Sequence, residues 1–207
     1  MKDLARGFRR FRRDVFPAQA ALFARLATTH QPDVLFVGCA DSRVIPELIT
    51  QRGPGDMFVI RTAGNLVPSY DSYDSCADGV TASIEYAVGV LGVTDVIVCG
   101  HSDCGAMTAL ACENGLDGLP AMATWLRHAE APKARLHATR GCTSTDRVNA
   151  LVRDNVMRQL ANLQTHPAVA QALAQNTMTL HGWVYDIASG CIDELDAGTG
   201  RFAALAG

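Results

Sequence analysis

Two stretches place reactive side chains at the ends of apolar runs. "VLFVGCADSRV" (34–44) closes with Cys39, Asp41 and Arg43 at alternate positions, and "VIVCGHSDCGA" (96–106) carries His101 and Cys104 at H-x-x-C spacing. Two thiolates and one imidazole form a donor set suited to zinc rather than magnesium or calcium, and three ligands leave a fourth position open, as catalytic sites do. No further Cys or His stands at structural-finger spacing. In extended chain, residues i and i+2 share a face, so Asp41 and Arg43 would point the same way as Cys39. A carboxylate there has two possible roles. It can bind the metal and close the site, or it can pair with Arg43 and accept a hydrogen bond from a metal-bound water. A plainer reading of the same residues is a buried strand-end thiol, a core histidine and a surface ion pair.

These groups can meet only if the fold brings two strand ends together. Val34 to Gly38 is an unbroken apolar run, as expected of a buried parallel strand, and "MFVIR" from Met57 and "DVIVC" from Asp95 read the same way. Between them, Pro46 suits the first turn of a short helix, "PELIT". Asp78 is a candidate N-cap for a helix burying Val80, Ile84, Ala87, Val88 and Leu91. A longer helix carries Val148, Leu151, Val152, Val156, Leu160 and Leu163 at helical spacing. "MTLHGWVYDI" from Met178 reads as a strand, followed by turns around "CIDEL" and "AGTG" towards Phe202. The alternation predicts an α/β fold: a mostly parallel central β-sheet flanked by helices, with an N-terminal helical arm over 1–30 and a C-terminal antiparallel edge, in one domain spanning 1–207. In such sheets ligands gather beyond the carboxyl ends of the strands, where strand order reverses. Cys39, His101 and Cys104 all fall at such ends. Gly100 and Gly105 are expected to give the backbone room to turn there.

A chain of 207 residues with 48% hydrophobic and 19% charged residues has the composition of a globular domain. No apolar run reaches the roughly 18 to 20 residues of a membrane span, and no secretory leader is apparent, so cytoplasmic location and no membrane partner are expected. A net charge of −3 gives no reason to expect nucleic acid as a partner. "MKDLARGFRRFRR" nevertheless concentrates six basic residues against one acid, Asp3. Leu4, Phe8, Phe11 and Val15 follow helical spacing, which favours a helix docking on an acidic body or a partner subunit over a transit peptide or an anion-binding arm. Seven cysteines, an odd number, argue against a disulfide framework. Cys76 has no evident role.

The pair "CADSRV" and "GHSDCGA" closely resembles the β-class carbonic anhydrases. "PELITQRGPGDMFVIRTAGNLVP" and "GVTASIEYAVGVLGVTDVIVCGH" extend the resemblance from about Phe23 through the metal loop, while the final third, with "LHGWVYDIASG", is similar more loosely. The resemblance implies zinc-dependent, reversible hydration of carbon dioxide to bicarbonate and a proton by a zinc-bound hydroxide, in a homodimer or a dimer of dimers. It implies Cys39, His101 and Cys104 as zinc ligands, with Asp41 as fourth ligand in a closed form only, and Asp41 with Arg43 as the catalytic dyad. It also implies a substrate pocket that includes Phe58, Tyr86 and Gly105, partly supplied by the other subunit, to which Gln31 would contribute. His30 stands where the family often has that glutamine, so either residue could serve. Phe36 stands where bicarbonate-regulated members tend to carry tryptophan, so no second bicarbonate pocket is expected. Two alternatives remain at this level: a carbon disulfide or carbonyl sulfide hydrolase on the same scaffold, and a non-catalytic zinc-stabilised binding module. A redox role is disfavoured because no C-x-x-C is present.

Overall fold

The apolar run at Val34–Cys39 forms β1, buried along its whole length. In the computed structural model, which describes residues 2–72, 79–111, 116–129 and 144–205, β1 lies inside a six-stranded sheet. The other strands are β2 (Met57–Thr62), β3 (Asp95–His101), β4 (Thr179–Tyr185), β5 (Ile192–Asp196) and β6 (Arg201–Ala204). Their spatial order is β2-β1-β3-β4-β5-β6. The first four run parallel, and β5 and β6 continue antiparallel. The expected sheet and its antiparallel edge are therefore present. From β1 the chain passes to β2 on one side and then to β3 on the other, so strand order reverses at β1.

The helices are α1 (Lys2–Arg10), α2 (Ala20–Leu26), α3 (Pro46–Thr50), α4 (Gly79–Tyr86), α5 (Gly105–Ala111), α6 (Pro120–Leu126), α7 (Ser144–Leu163) and α8 (Pro167–Ala174). One sheet face, with Leu35, Val37, Val96 and Val98, packs against Val156, Leu160 and Leu163 of α7 and Val169 of α8. Side chains alternate along each strand, so the other face gathers Val34, Phe36, Ile97 and Cys99. Helix α7 crosses β3 and β4 closely at two glycines. A Cβ on Gly100 would stand 2.9 Å from side-chain atoms of Val152 and Val156, and one on Gly182 would stand 2.9 Å from Leu160.

Contacts divide the chain into two units, Met1–Gln31 and Pro32–Gly207. In the first, α1 carries Leu4 and Phe8 exposed, with Phe11 and Val15 exposed on the helical turns that follow. Phe11, Phe16 and Phe23 cluster with ring centroids 5.3–6.1 Å apart. The second unit contains the sheet and its helices. The expected cap at Asp78, and Cys76, lie outside the described residues. Cys39, Cys99, Cys104 and Cys191 are free thiols. No helix among the described residues is long and apolar enough to cross a membrane.

Candidate metal centre

Cys39 ends β1 and His101 ends β3, its immediate neighbour, so both occupy the carboxyl edge of the sheet where strand order reverses. The Ser102–Cys104 turn then leads into α5 and brings Cys104 back to them. One ligand atom from each of Cys39, His101 and Cys104 lies within 4.8 Å of the others, and all three residues are buried. The turn is made without the expected glycines. Asp103 takes the left-handed conformation (φ 53°), whereas neither Gly100 nor Gly105 does. Gly100 is required instead for the close approach of α7.

His101 Nδ1 lies 2.9 Å from the Ser102 carbonyl oxygen, which fixes Nδ1 as the protonated nitrogen and leaves Nε2 its lone pair. Nε2 is buried without a hydrogen-bond partner. Burying an acceptor unsatisfied costs free energy, and a cation among the three ligand atoms would satisfy it. The sulfurs are poised in the same sense. The Cys39 thiol is held down at about 4, first by the Cys104 thiol beside it against the opposing effect of burial, and then by His101, the Asp41 backbone and the Gly64 amide. The Cys104 thiol is pushed up, because it stands beside the Cys39 sulfur, is buried and faces its negative charge. Burial lowers the His101 pKa, but the nearby Cys39 sulfur and its negative charge outweigh it and the net shift is upward. The donor set and the unsatisfied nitrogen together fit a soft divalent cation such as zinc.

Asp41 and Arg43 meet, though not through continued extension. The strand stops at Cys39 and the chain turns, with the Val44 amide donating to the Asp41 carbonyl at 3.0 Å. Arg43 donates from Nε to Asp41 Oδ1 at 3.0 Å and from Nη2 to Oδ2 at 2.9 Å, while its amide reaches Oδ1 at 2.9 Å. These bonds hold the Asp41 carboxyl far below the usual carboxylate range. Asp41 is therefore committed to Arg43 and is not part of the three-ligand cluster. Two partners went unrecognised in the sequence. Asp103 accepts from Arg43 Nη1 at 2.8 Å, and the Asp103 carbonyl accepts from Nη2 at 3.0 Å. Arg61 donates to the carbonyls of Cys39, Asp41 and Val44 at 2.6–3.1 Å, tying down the turn. Asp103 lies inside the H-x-x-C motif, where an acid could have been recognised as a second anchor. Nothing in the sequence marks Arg61.

The expected substrate-pocket residues are less concentrated. Phe58 and Tyr86 face each other with centroids 6.0 Å apart. Phe58 pairs with Leu35, four positions before Cys39 on β1, or about 13 Å along the strand. Tyr86 is largely exposed at the end of α4. Gly105 is at the start of α5 beside Cys104. Gln31 is exposed and belongs to the N-terminal unit.

Comparison with known proteins agrees with this geometry. The carbonic anhydrase family model matches residues 34–192. The carbonic anhydrase of Pseudomonas aeruginosa is 57% identical over all of this chain and 92% of its own length. Carbonic anhydrase 1 of Escherichia coli O157:H7 is 50% identical, over 100% and 93%. Among solved structures, the β-carbonic anhydrase CcaA superposes with a TM-score of 0.95 at 39% identity, covering 100% of this chain and 92% of that one. A Coccomyxa β-carbonic anhydrase in complex with acetazolamide gives 0.81 at 28% identity, over 93% and 85%. With its parallel sheet, its antiparallel edge and its full-length likeness to these proteins, the chain belongs to the β-class carbonic anhydrase family.

Proposed function

We propose that this carbonic anhydrase hydrates carbon dioxide reversibly, CO₂ + H₂O ⇌ HCO₃⁻ + H⁺, with zinc held by Cys39, His101 and Cys104 and with Asp41 and Arg43 as the working dyad. The observation that carries this reading is the convergence of two buried sulfurs and an unsatisfied imidazole nitrogen beside a carboxylate already engaged by a guanidinium. Zinc at that position supplies Lewis-acid activation of a water molecule near neutral pH. Arg43 keeps Asp41 ionised and fixed in direction, so Asp41 can only accept a hydrogen bond. An acceptor fixed in this way orients the reacting water so that a free lone pair faces the carbon of the substrate. Because Arg43 is itself anchored at Asp103, Asp41 cannot readily swing away. The pair is exposed on its Arg43 side, so its importance lies in orientation and not in stability.

Phe58, Tyr86 and Gly105, with Gln31 or His30, are proposed to line the substrate pocket. Since Phe58 sits well down its strand from Cys39, it and Tyr86 would serve the site of a second copy, in keeping with a homodimer or dimer of dimers. One solved chain, from the crystal structures of two tetrameric β-carbonic anhydrases of Sordaria macrospora, matches with a TM-score of 0.75 at 28% identity over 99% of this chain and 95% of that one. A cytoplasmic location is proposed with it, in keeping with the free thiols. With Phe36 buried on the sheet face away from α7, no second bicarbonate pocket is proposed, and pre-incubation with millimolar bicarbonate should leave activity unchanged. The deciding experiment is stopped-flow CO₂ hydration before and after chelation, with metal content measured alongside. Activity should fall with the metal and return on adding zinc. Full activity in metal-free protein would refute the reading.

A further inference from the structure

The segment Ala63–Pro68, which follows β2, is buried over much of its length without being helix or strand throughout. Backbone groups placed like this must find partners elsewhere, and here side chains supply them. Trp125 Nε1 donates to the Ala63 carbonyl at 2.9 Å. Asn155 Nδ2 donates to the Gly64 carbonyl at 3.0 Å. Gln159 Oε1 accepts from the Val67 amide at 2.8 Å, Asn162 Nδ2 donates to the Val67 carbonyl at 2.7 Å, and His166 Nε2 lies 2.9 Å from the Pro68 carbonyl. Asn155, Gln159 and Asn162 fall at i, i+4 and i+7 on α7, one buried stripe, and bond to one another in a chain. Three buried amides on the apolar side of a helix are costly unless each is satisfied. In this case each has a partner on the segment or on its neighbour in the chain.

What the ladder holds is the segment that passes next to the candidate metal ligand. The Gly64 amide donates to Cys39 Sγ at 3.4 Å. Gly64 is in the left-handed region (φ 76°), and a Cβ there would meet Met107 at 3.0 Å and Ala106 at 3.1 Å, so its backbone reaches the sulfur because it has no side chain. We propose that the Asn155–Gln159–Asn162 ladder on α7 is a positioning device for catalysis, holding the Gly64 amide against the Cys39 sulfur and so setting how much electron density that thiolate donates to its metal. Partners of this kind orient first ligands and tune the ion they hold. Asn155 is the decisive rung of the ladder, since it fixes the Gly64 carbonyl, on the peptide unit that follows the amide, while Trp125 holds the Ala63 carbonyl of the amide's own unit.

The inference rests on Cys39 being a metal ligand, and the test separates the two. Cobalt(II) replaces zinc in the purified protein, and the sulfur-to-cobalt charge-transfer band is recorded together with the d–d bands. Asn155→Leu removes the donor at similar size, and Asn155→Ser leaves a hydroxyl one bond too short to reach Gly64. Each should move the charge-transfer band to lower energy, because a thiolate that loses a hydrogen bond is richer in electrons, while the d–d bands keep a tetrahedral pattern. Leu163→Ala, a core truncation lower on the same helix, should leave the band in place. In the zinc enzyme, the Asn155 variants should lower kcat with little change in KM. As a check that needs no variant, the ¹¹³Cd-loaded wild-type protein should show scalar coupling between cadmium and the Gly64 amide proton. An unmoved band in a folded Asn155 variant, an equal shift in Leu163→Ala, or no such coupling would overturn the inference. Failure of the wild-type chain to take up cobalt would overturn the metal assignment and this inference with it.

Discussion

Cys39 and Cys99 are the same residue type near the ends of adjacent strands, yet they occupy opposite chemical worlds. Cys39 lies on the sheet face of Leu35 and Val37, where it meets Cys104 and the Gly64 amide, with His101 reaching it from the end of β3, and its thiol is held down at about 4. Cys99 is one residue off that register, among Val34, Phe36 and Ile97, and burial pushes its thiol up to about 12. The difference comes from strand alternation together with position: Cys39 is the last residue of β1, whereas Cys99 stands two residues before the end of β3, where His101 joins the polar cluster. What makes a thiol a ligand is therefore the donors around it, since both residues are buried.

The largest effect should come from breaking the reactive side of this comparison. Cys104→Ser should lower metal affinity by about 100-fold or more, with activity falling alongside, whereas Cys99→Ala should keep its metal and cost about 1 kcal/mol of stability. Metal content and urea midpoints distinguish the two. Asp41→Ala should keep zinc bound while lowering kcat by about 100- to 1,000-fold, because it removes only the group that orients the reacting water. Loss of zinc in that variant would make Asp41 a ligand instead.

Two smaller effects sharpen the contrast through pH. Two thiolates donate more charge than neutral ligands would and weaken the acidification of water, so the pH–rate profile should rise on the alkaline side; full activity at pH 6 would contradict this. In metal-free protein the two thiols should act oppositely on stability. A depressed thiol stabilises the fold fully above its unfolded value of 9.0, and that contribution is lost as pH falls towards about 4 for Cys39. A raised thiol stabilises below 9.0, and its contribution is lost as pH rises towards about 12 for Cys99. Denaturation midpoints across pH should therefore show a shallower fall between pH 9 and about 4 in Cys39→Ala and a shallower fall between pH 9 and about 12 in Cys99→Ala, with Asp41 and Cys104 supplying what remains of each limb.

Much of this was legible in the sequence because it rests on local pattern. The apolar runs at Val34 and Asp95 predicted the central strands, and the strand-end positions of Cys39 and His101 predicted their meeting. What stayed hidden depends on contacts distant in sequence. Asp41 and Arg43 come together through a turn, where the spacing suggested an extended chain. The left-handed turn falls on Asp103, because a short polar side chain tolerates that conformation, while Gly100 answers to the pressure of α7 above it. The amides at Asn155, Gln159 and Asn162 interrupt the apolar stripe of Leu151, Val152, Val156 and Leu160. That interruption was visible in the helix, but its partners lie some 90 residues away in the chain.

X-ray absorption at the zinc edge tests the central claim most directly. The purified protein should show a first shell of two sulfurs at about 2.3 Å and lighter atoms at about 2.0–2.1 Å, one of them an imidazole nitrogen. That pattern should vanish in Cys39→Ser and persist in Cys99→Ala. A shell of four sulfurs, a shell of oxygen alone, or a pattern that follows Cys99 would contradict the account.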